Sequence, residues 1–153
     1  MSADAAENRL YAYLEALPCN LPWKERSDLE RTILLIYWLE LDVANGGLEQ
    51  YFVNPAGDKW NETLSALRRV EANEIVKIFE LALKVFPDAS PSTDQSERSQ
   101  QLLHAGSVAR ETLNRLDDRY FELYRQFPDE DSYAKMAQFL QRMVKVGNAD
   151  NSR

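Results

Sequence analysis

Apolar residues recur along the chain at spacings of three and four, and no alternating run or hairpin turn competes with them, so the pattern predicts helices throughout. The stretch around which the rest is organised is Ser27 to Asn54. Ser27 followed by Glu30 has the spacing of a capping box, which starts a helix near Asp28. Leu29, Ile33, Ile36 and Val43 share one face of it, and Leu34, Leu35, Trp38 and Leu41 cover the adjoining sides. A helix so apolar is expected to be central, running Asp28–Ala44 and ending at Asn45-Gly46-Gly47, residues that tolerate the left-handed backbone of a helix stop. Leu48, Tyr51 and Phe52 then fold back onto the core as a short aromatic turn.

The other segments read as helices with short punctuation. Leu10, Leu14 and Leu17 stripe a first helix, and Pro18 and Pro22 mark the break after it. Residues 54–58 form a turn. Trp60, Leu64 and Leu67 begin a further stripe, which resumes as Ile75, Ile78, Phe79, Ala82, Val85 and Phe86 after a bend near Glu71. The polar, proline-containing stretch Asp88–Gln95 is the expected mobile loop. Leu102, Ala105, Ala109, Leu113 and Leu116 mark one helix, loosened at Gly106, and Tyr120, Leu123, Tyr124 and Phe127 mark another, closed by Pro128. Asp129 is the expected N-cap of a last helix carrying Tyr133, Met136, Ala137, Leu140 and Met143, with Gly147 just past its end. The expected architecture is therefore all-α: one domain over residues 1–147, with about seven or eight helices around the central one, and a disordered tail over 148–153.

Composition narrows the class of function. A formal charge of −7 and the lack of clustered Lys and Arg argue against direct binding to nucleic acid or to an anionic membrane. Cys19 is the single cysteine, so neither an intramolecular disulfide nor a multi-cysteine zinc site can form. The first ten residues lack the basic and apolar parts of a secretory signal, and the longest apolar run, Ile33 to Leu39, is far short of the about 20 residues of a membrane span. A cytoplasmic protein is the expectation.

Candidate chemistry is sparse. His104 is the single histidine and has no partner residue at metal-site or nucleophile spacing, and Gly46-Gly47 lacks the spacing of a phosphate loop. Glu40 lies on the apolar side of the central helix, where burial would raise its pKa, although a carboxylate one turn from a glycine loop more often bonds that loop. No catalytic residue and no metal or organic cofactor is expected, and only an all-carboxylate magnesium or calcium site remains open.

The distribution of charge is more informative than its total. Residues 1–58 hold 10 acids and 4 bases, and no base occurs between Arg31 and Lys59, where Glu40, Asp42, Glu49 and Asp58 do. A second run, Asp117 to Asp131, holds six acids against Arg119 and Arg125. The two runs are candidates for one acidic surface, and the plainer alternative is a solvated face that aids solubility.

Glu40-Leu-Asp42-Val-Ala-Asn45-Gly46-Gly47-Leu48-Glu49-Gln50-Tyr51-Phe52-Val-Asn54 resembles the signature of the bacterial DNA-mimic protein family, and a looser match extends from about Asp28 to Tyr124. The resemblance implies an acidic, all-helical, homodimeric protein whose carboxylates stand in for DNA phosphates and occupy a DNA-binding protein such as a helix-turn-helix regulator. It implies that Asp42, Glu49, Asp58, Asp117, Asp118, Glu122, Asp129, Glu130 and Asp131 lie exposed on one side as the partner-binding surface. The uncharged signature residues Asn45, Gly46, Gly47, Gln50, Tyr51, Phe52 and Asn54, together with Glu40, are expected to be structural. The competing reading is a helical interaction or adaptor domain that binds a protein through an apolar patch without mimicking DNA.

Overall fold

The structure is a computed structural model that describes residues 3–150. Its elements are helical: α1 (Ala3–Ala16), α2 (Asp28–Val53), α3 (Trp60–Arg69), α4 (Asn73–Leu83), α5 (Gln95–Gln126) and α6 (Ser132–Asp150), with short 3-10 turns between them. The all-helical expectation holds, with six helices among the described residues in place of seven or eight. No helix among these residues is long and apolar enough to cross a membrane.

α2 is the central element. Ser27 Oγ accepts the Glu30 amide at 3.1 Å and caps its start, and Ile33, Ile36, Leu39 and Val43 are fully buried. α5 and α3 pack along it, α4 bridges α3 and α5, and α1 pairs with α6. Leu41 departs from the expected all-round burial, with 47% of its surface exposed.

The expected end of this helix at Asn45-Gly46-Gly47 is instead a kink. Gly46 and Gly47 leave helical geometry, Gly47 at φ 75°, yet α2 continues to Val53. It can do so because the Leu48 amide, freed by the break, donates to Asp117 Oδ1 of α5 at 2.8 Å. A carboxylate from a distant helix thus acts as an N-cap for the second half of α2. Tyr51 and Phe52 on that half join Phe79 and Phe86 in an aromatic cluster with ring separations of 4.8–5.8 Å.

Other boundaries also differ from expectation. α5 is one helix with a kink at Gly106, because Leu113, Leu116, Tyr120 and Leu123 continue one buried stripe through Asp117 and Asp118. The Asp88–Gln95 stretch is anchored rather than free: Trp60 Nε1 donates to the Pro91 carbonyl at 2.9 Å, Ser92 N donates to Gln101 Oε1 at 2.9 Å, and Asp94 caps α5. Asp131, not Asp129, caps α6 by accepting the Ala134 amide at 2.8 Å. α6 runs through Gly147 to Asp150, and positions 151–153 of the expected tail lie outside the described residues.

Candidate functional site

The signature residues build three linked networks around the α2 kink. In the first, Asn54 Nδ2 donates to Asp42 Oδ1 at 2.6 Å and Gln50 Nε2 donates to Asn54 Oδ1 at 3.0 Å, a chain that ties the chain exit at Asn54 back to the first half of the helix. Tyr51 Oη donates to Thr63 Oγ1 at 3.0 Å and pins the second half to α3. At Gly47 the approach of α5 leaves no room for a side chain, since a Cβ there would sit 2.2 Å from Asp117 Oδ2.

The second network centres on Arg98, which has no exposed surface. Its Nε donates to the Phe52 carbonyl at 2.5 Å, Nη1 to the Ser92 carbonyl at 2.8 Å, and Nη2 to the Asn54 carbonyl at 2.9 Å and to Asp58 Oδ1 at 2.8 Å. Four acceptors from three segments converge on one guanidinium, whose rigid fork is suited to that task. Two of its backbone partners, the Phe52 and Asn54 carbonyls, lie where α2 ends and its carbonyls run out of helical donors, and the third, Ser92, precedes α5. The role of Arg98 is absent from the sequence reading. A signal did exist: the Leu102, Ala105, Ala109 stripe, extended one turn back, lands on position 98.

The third network buries Glu40. Tyr120 Oη and Tyr124 Oη donate to its two carboxyl oxygens, and Ser132 lies within reach of Tyr120. Desolvation raises the Glu40 pKa, and the hydrogen bonds from Ser132, Tyr120 and Tyr124 oppose it only in part. A carboxyl whose folded pKa stands above its unfolded value favours the folded state most when protonated. Stability from Glu40 is therefore full below the ordinary glutamate range and is lost as pH rises toward the raised folded value. The expected result is that Glu40→Gln matches the wild type in urea unfolding at acid pH and becomes relatively more stable toward neutrality. Glu40→Ala, which leaves two hydroxyls without an acceptor, should cost about 1–3 kcal/mol. Parallel pH profiles for wild type and Glu40→Gln would contradict the assignment.

The acidic residues do not form the uniformly exposed set expected of them. Asp131 is buried, with 6% of its surface exposed, and is spent as a helix cap. Asp117 is half-buried against the kink, Asp58 is engaged by Arg98, and Asp42 is bonded by Asn54. Glu49 pairs with Arg110 at 3.3 Å and Glu130 with Lys135 at 3.4 Å. Asp118, Glu122 and Asp129 remain exposed. Two local groupings do arise. Desolvation raises the Asp117 pKa first, and the nearby charges of Asp118 and Glu49 raise it further. Asp131 is raised in the same order by desolvation, Glu7 and Asp129. The first lies at the α2 kink, and Asp131 of the second is close enough to Glu40 to raise it further.

Asp42 and Gln50 share Asn54, while Tyr51 bonds Thr63 and Glu40 bonds Tyr120 and Tyr124, so the four do not converge as a catalytic constellation would. His104 is exposed, with Nδ1 at 2.8 Å from the Gln100 carbonyl. Among the described residues no group of three or more His, Cys, Asp or Glu side chains is gathered as metal ligands.

No curated protein and no solved structure matches the chain. A family model described as DMP19-like protein matches residues 24–143. That span takes in the central helix, its kink and the three networks around it, and the chain belongs to the DMP19-like (DNA mimic protein 19) family.

Proposed function

We propose that this protein is a DNA mimic that binds a DNA-binding protein, such as a helix-turn-helix regulator, and regulates it by occupying its DNA site. Membership of the DMP19-like family over residues 24–143 carries the reading. The surface supports it at one place above all. Asp118 and Glu122 stand exposed one turn apart on α5, so their Cα atoms advance about 6 Å along the helix axis, near the roughly 7 Å axial advance of every second phosphate on one DNA strand, at about 3.4 Å a step. Asp129 follows beyond the helix end, and Glu49 lies across the seam.

Arg119 and Arg125 interleave with these acids, and one chain falls well short of the charge density of a duplex. A homodimer would carry −14 and could present paired acidic surfaces to the two half-sites of a dimeric regulator. Such a complex is salt-sensitive, because its charges are exposed. The protein itself performs no catalysis on this reading and needs no cofactor.

The test is capture of the basic partner at low salt, followed by elution with duplex DNA. The triple reversal Asp118→Lys, Glu122→Lys, Asp129→Lys is expected to abolish capture while leaving stability within about 0.5 kcal/mol for each site, as for exposed positions without a structural bond. Capture that survives the reversal and ignores DNA would instead favour an adaptor that binds through an apolar patch. Leu103 and Val108, 67% and 72% exposed on either side of the Gly106 kink, are the surface such an adaptor would use.

A further inference from the structure

Beside the first signature network lies a groove of about 440 Å³, walled by Trp38, Leu41, Pro55 and Ala56, with Asp42, Asn54 and Lys59 as its polar lining. Leu41 is nearly half exposed there, a large aliphatic side chain left uncovered on the most buried helix of the fold. Trp38 is half-buried and packs against Trp23, the rings 5.3 Å apart and tilted by 34°, which holds its indole in place as a firm wall. Lys59 does not neutralise the acidic edge, because its ammonium sits 4.7 Å from the Trp23 ring centre and 3.6 Å from Glu62. Asp42 Oδ1 receives Asn54, and Oδ2 has no hydrogen-bond donor among the described residues. The groove thus combines an apolar lining with a half-buried carboxylate, held by Asn54, that has one oxygen to spare.

We propose that this groove is a socket for one arginine side chain of a basic partner protein, its aliphatic stem lying on Trp38 and Leu41 and its guanidinium on Asp42 Oδ2. The proposal rests on the DNA-mimic reading for the source of that arginine. Complementarity of charge and shape selects the residue type. A guanidinium is flat and weakly hydrated, pairs with carboxylates in a fixed geometry and stacks on indole rings, whereas an ammonium gives up its water at greater cost. Desolvation also holds the Asp42 carboxyl above its usual range against the Asn54 bond. A cation seated beside it would favour the ionised form and reverse that direction. In mechanistic terms the socket adds an anchored, largely dry contact to an otherwise solvent-screened ionic interface, and anchors of this kind dominate binding where rim charges contribute little.

The probe is N-acetyl-arginine N-methylamide, titrated into the intact protein and followed by ¹H–¹⁵N NMR, with the isosteric neutral citrulline compound as its control. Saturable shifts at the Trp38 indole and the Asn54 side-chain amide are expected with the arginine compound, with binding at least tenfold weaker for citrulline. Asp42→Asn, which keeps an acceptor for Asn54, and Leu41→Ser, at an exposed position, should each weaken the arginine compound severalfold or more while the remaining spectrum stays native. Equal responses to arginine and citrulline, or shifts confined to Asp118, Glu122 and Asp129, would overturn the socket. Shifts of Trp38 on simple dilution of the protein would assign the groove to a second copy of this chain and overturn it as well. The probe contains no partner, so its failure counts against the socket alone, and failure of DNA to displace a captured partner counts against the mimic reading alone.

Discussion

Arg98→Ala is expected to lower stability by about 3–5 kcal/mol, enough to unfold much of the population of a domain of this size. Its guanidinium is fully buried and supplies the hydrogen bonds of the Phe52, Asn54 and Ser92 carbonyls, which join the end of α2 to the start of α5. Alanine would leave the Phe52 and Ser92 carbonyls without this donor, the Asn54 carbonyl with the Gly57 amide alone, and a cavity where the side chain lay. The ion pair with Asp58 contributes little to the total, since the Asp58 side chain is 42% exposed and its charge is screened. Arg98→Lys should recover little of the loss, because an ammonium cannot reach acceptors on opposite sides of a fork. Urea unfolding monitored by circular dichroism checks both variants. A loss below about 1 kcal/mol for alanine, the range of an ordinary surface change, would show that the buried cluster is dispensable.

Gly47→Ala should rank next, at about 2–4 kcal/mol, from two separable causes. At φ 75° and ψ −171° the backbone occupies a region essentially reserved for glycine, so any side chain is strained there. The added methyl would also lie 2.2 Å from Asp117 Oδ2. Asp117 must then withdraw, and the Leu48 amide loses its cap. The two sites are therefore coupled: in an Asp117→Ala background the clash and the cap are already gone, and Gly47→Ala costs only the backbone strain. Thermal unfolding of the four proteins in this cycle measures the difference. Strict additivity would mean that Asp117 does not seat against the kink. Gly106→Ala serves as a comparison, since its φ of 76° carries strain while nothing lies within 4 Å of the added methyl.

What the residue pattern determined by itself is the local part of the fold. Helical periodicity, the Ser27 cap and the two glycine breaks are properties of segments a few residues long, and they place α2 at the centre correctly. The resemblance carried by Glu40 to Asn54 likewise pointed to the right family before any contact was known. Only the tertiary structure decided what the charged residues do. Asp117 and Asp118 are neighbours in sequence with identical chemistry, yet one is wedged against Gly47 and caps α2 while the other faces solvent. Asp131 reads as one of three consecutive acids, yet it alone is buried beneath the start of α6. Arg98 sits among Ser and Gln, and the acceptors it binds on α2 and just beyond it lie 40 to 46 positions away. A charged group has no preferred environment of its own; its burial is stabilised only by partners that long-range packing delivers, and those partners leave no period in the chain.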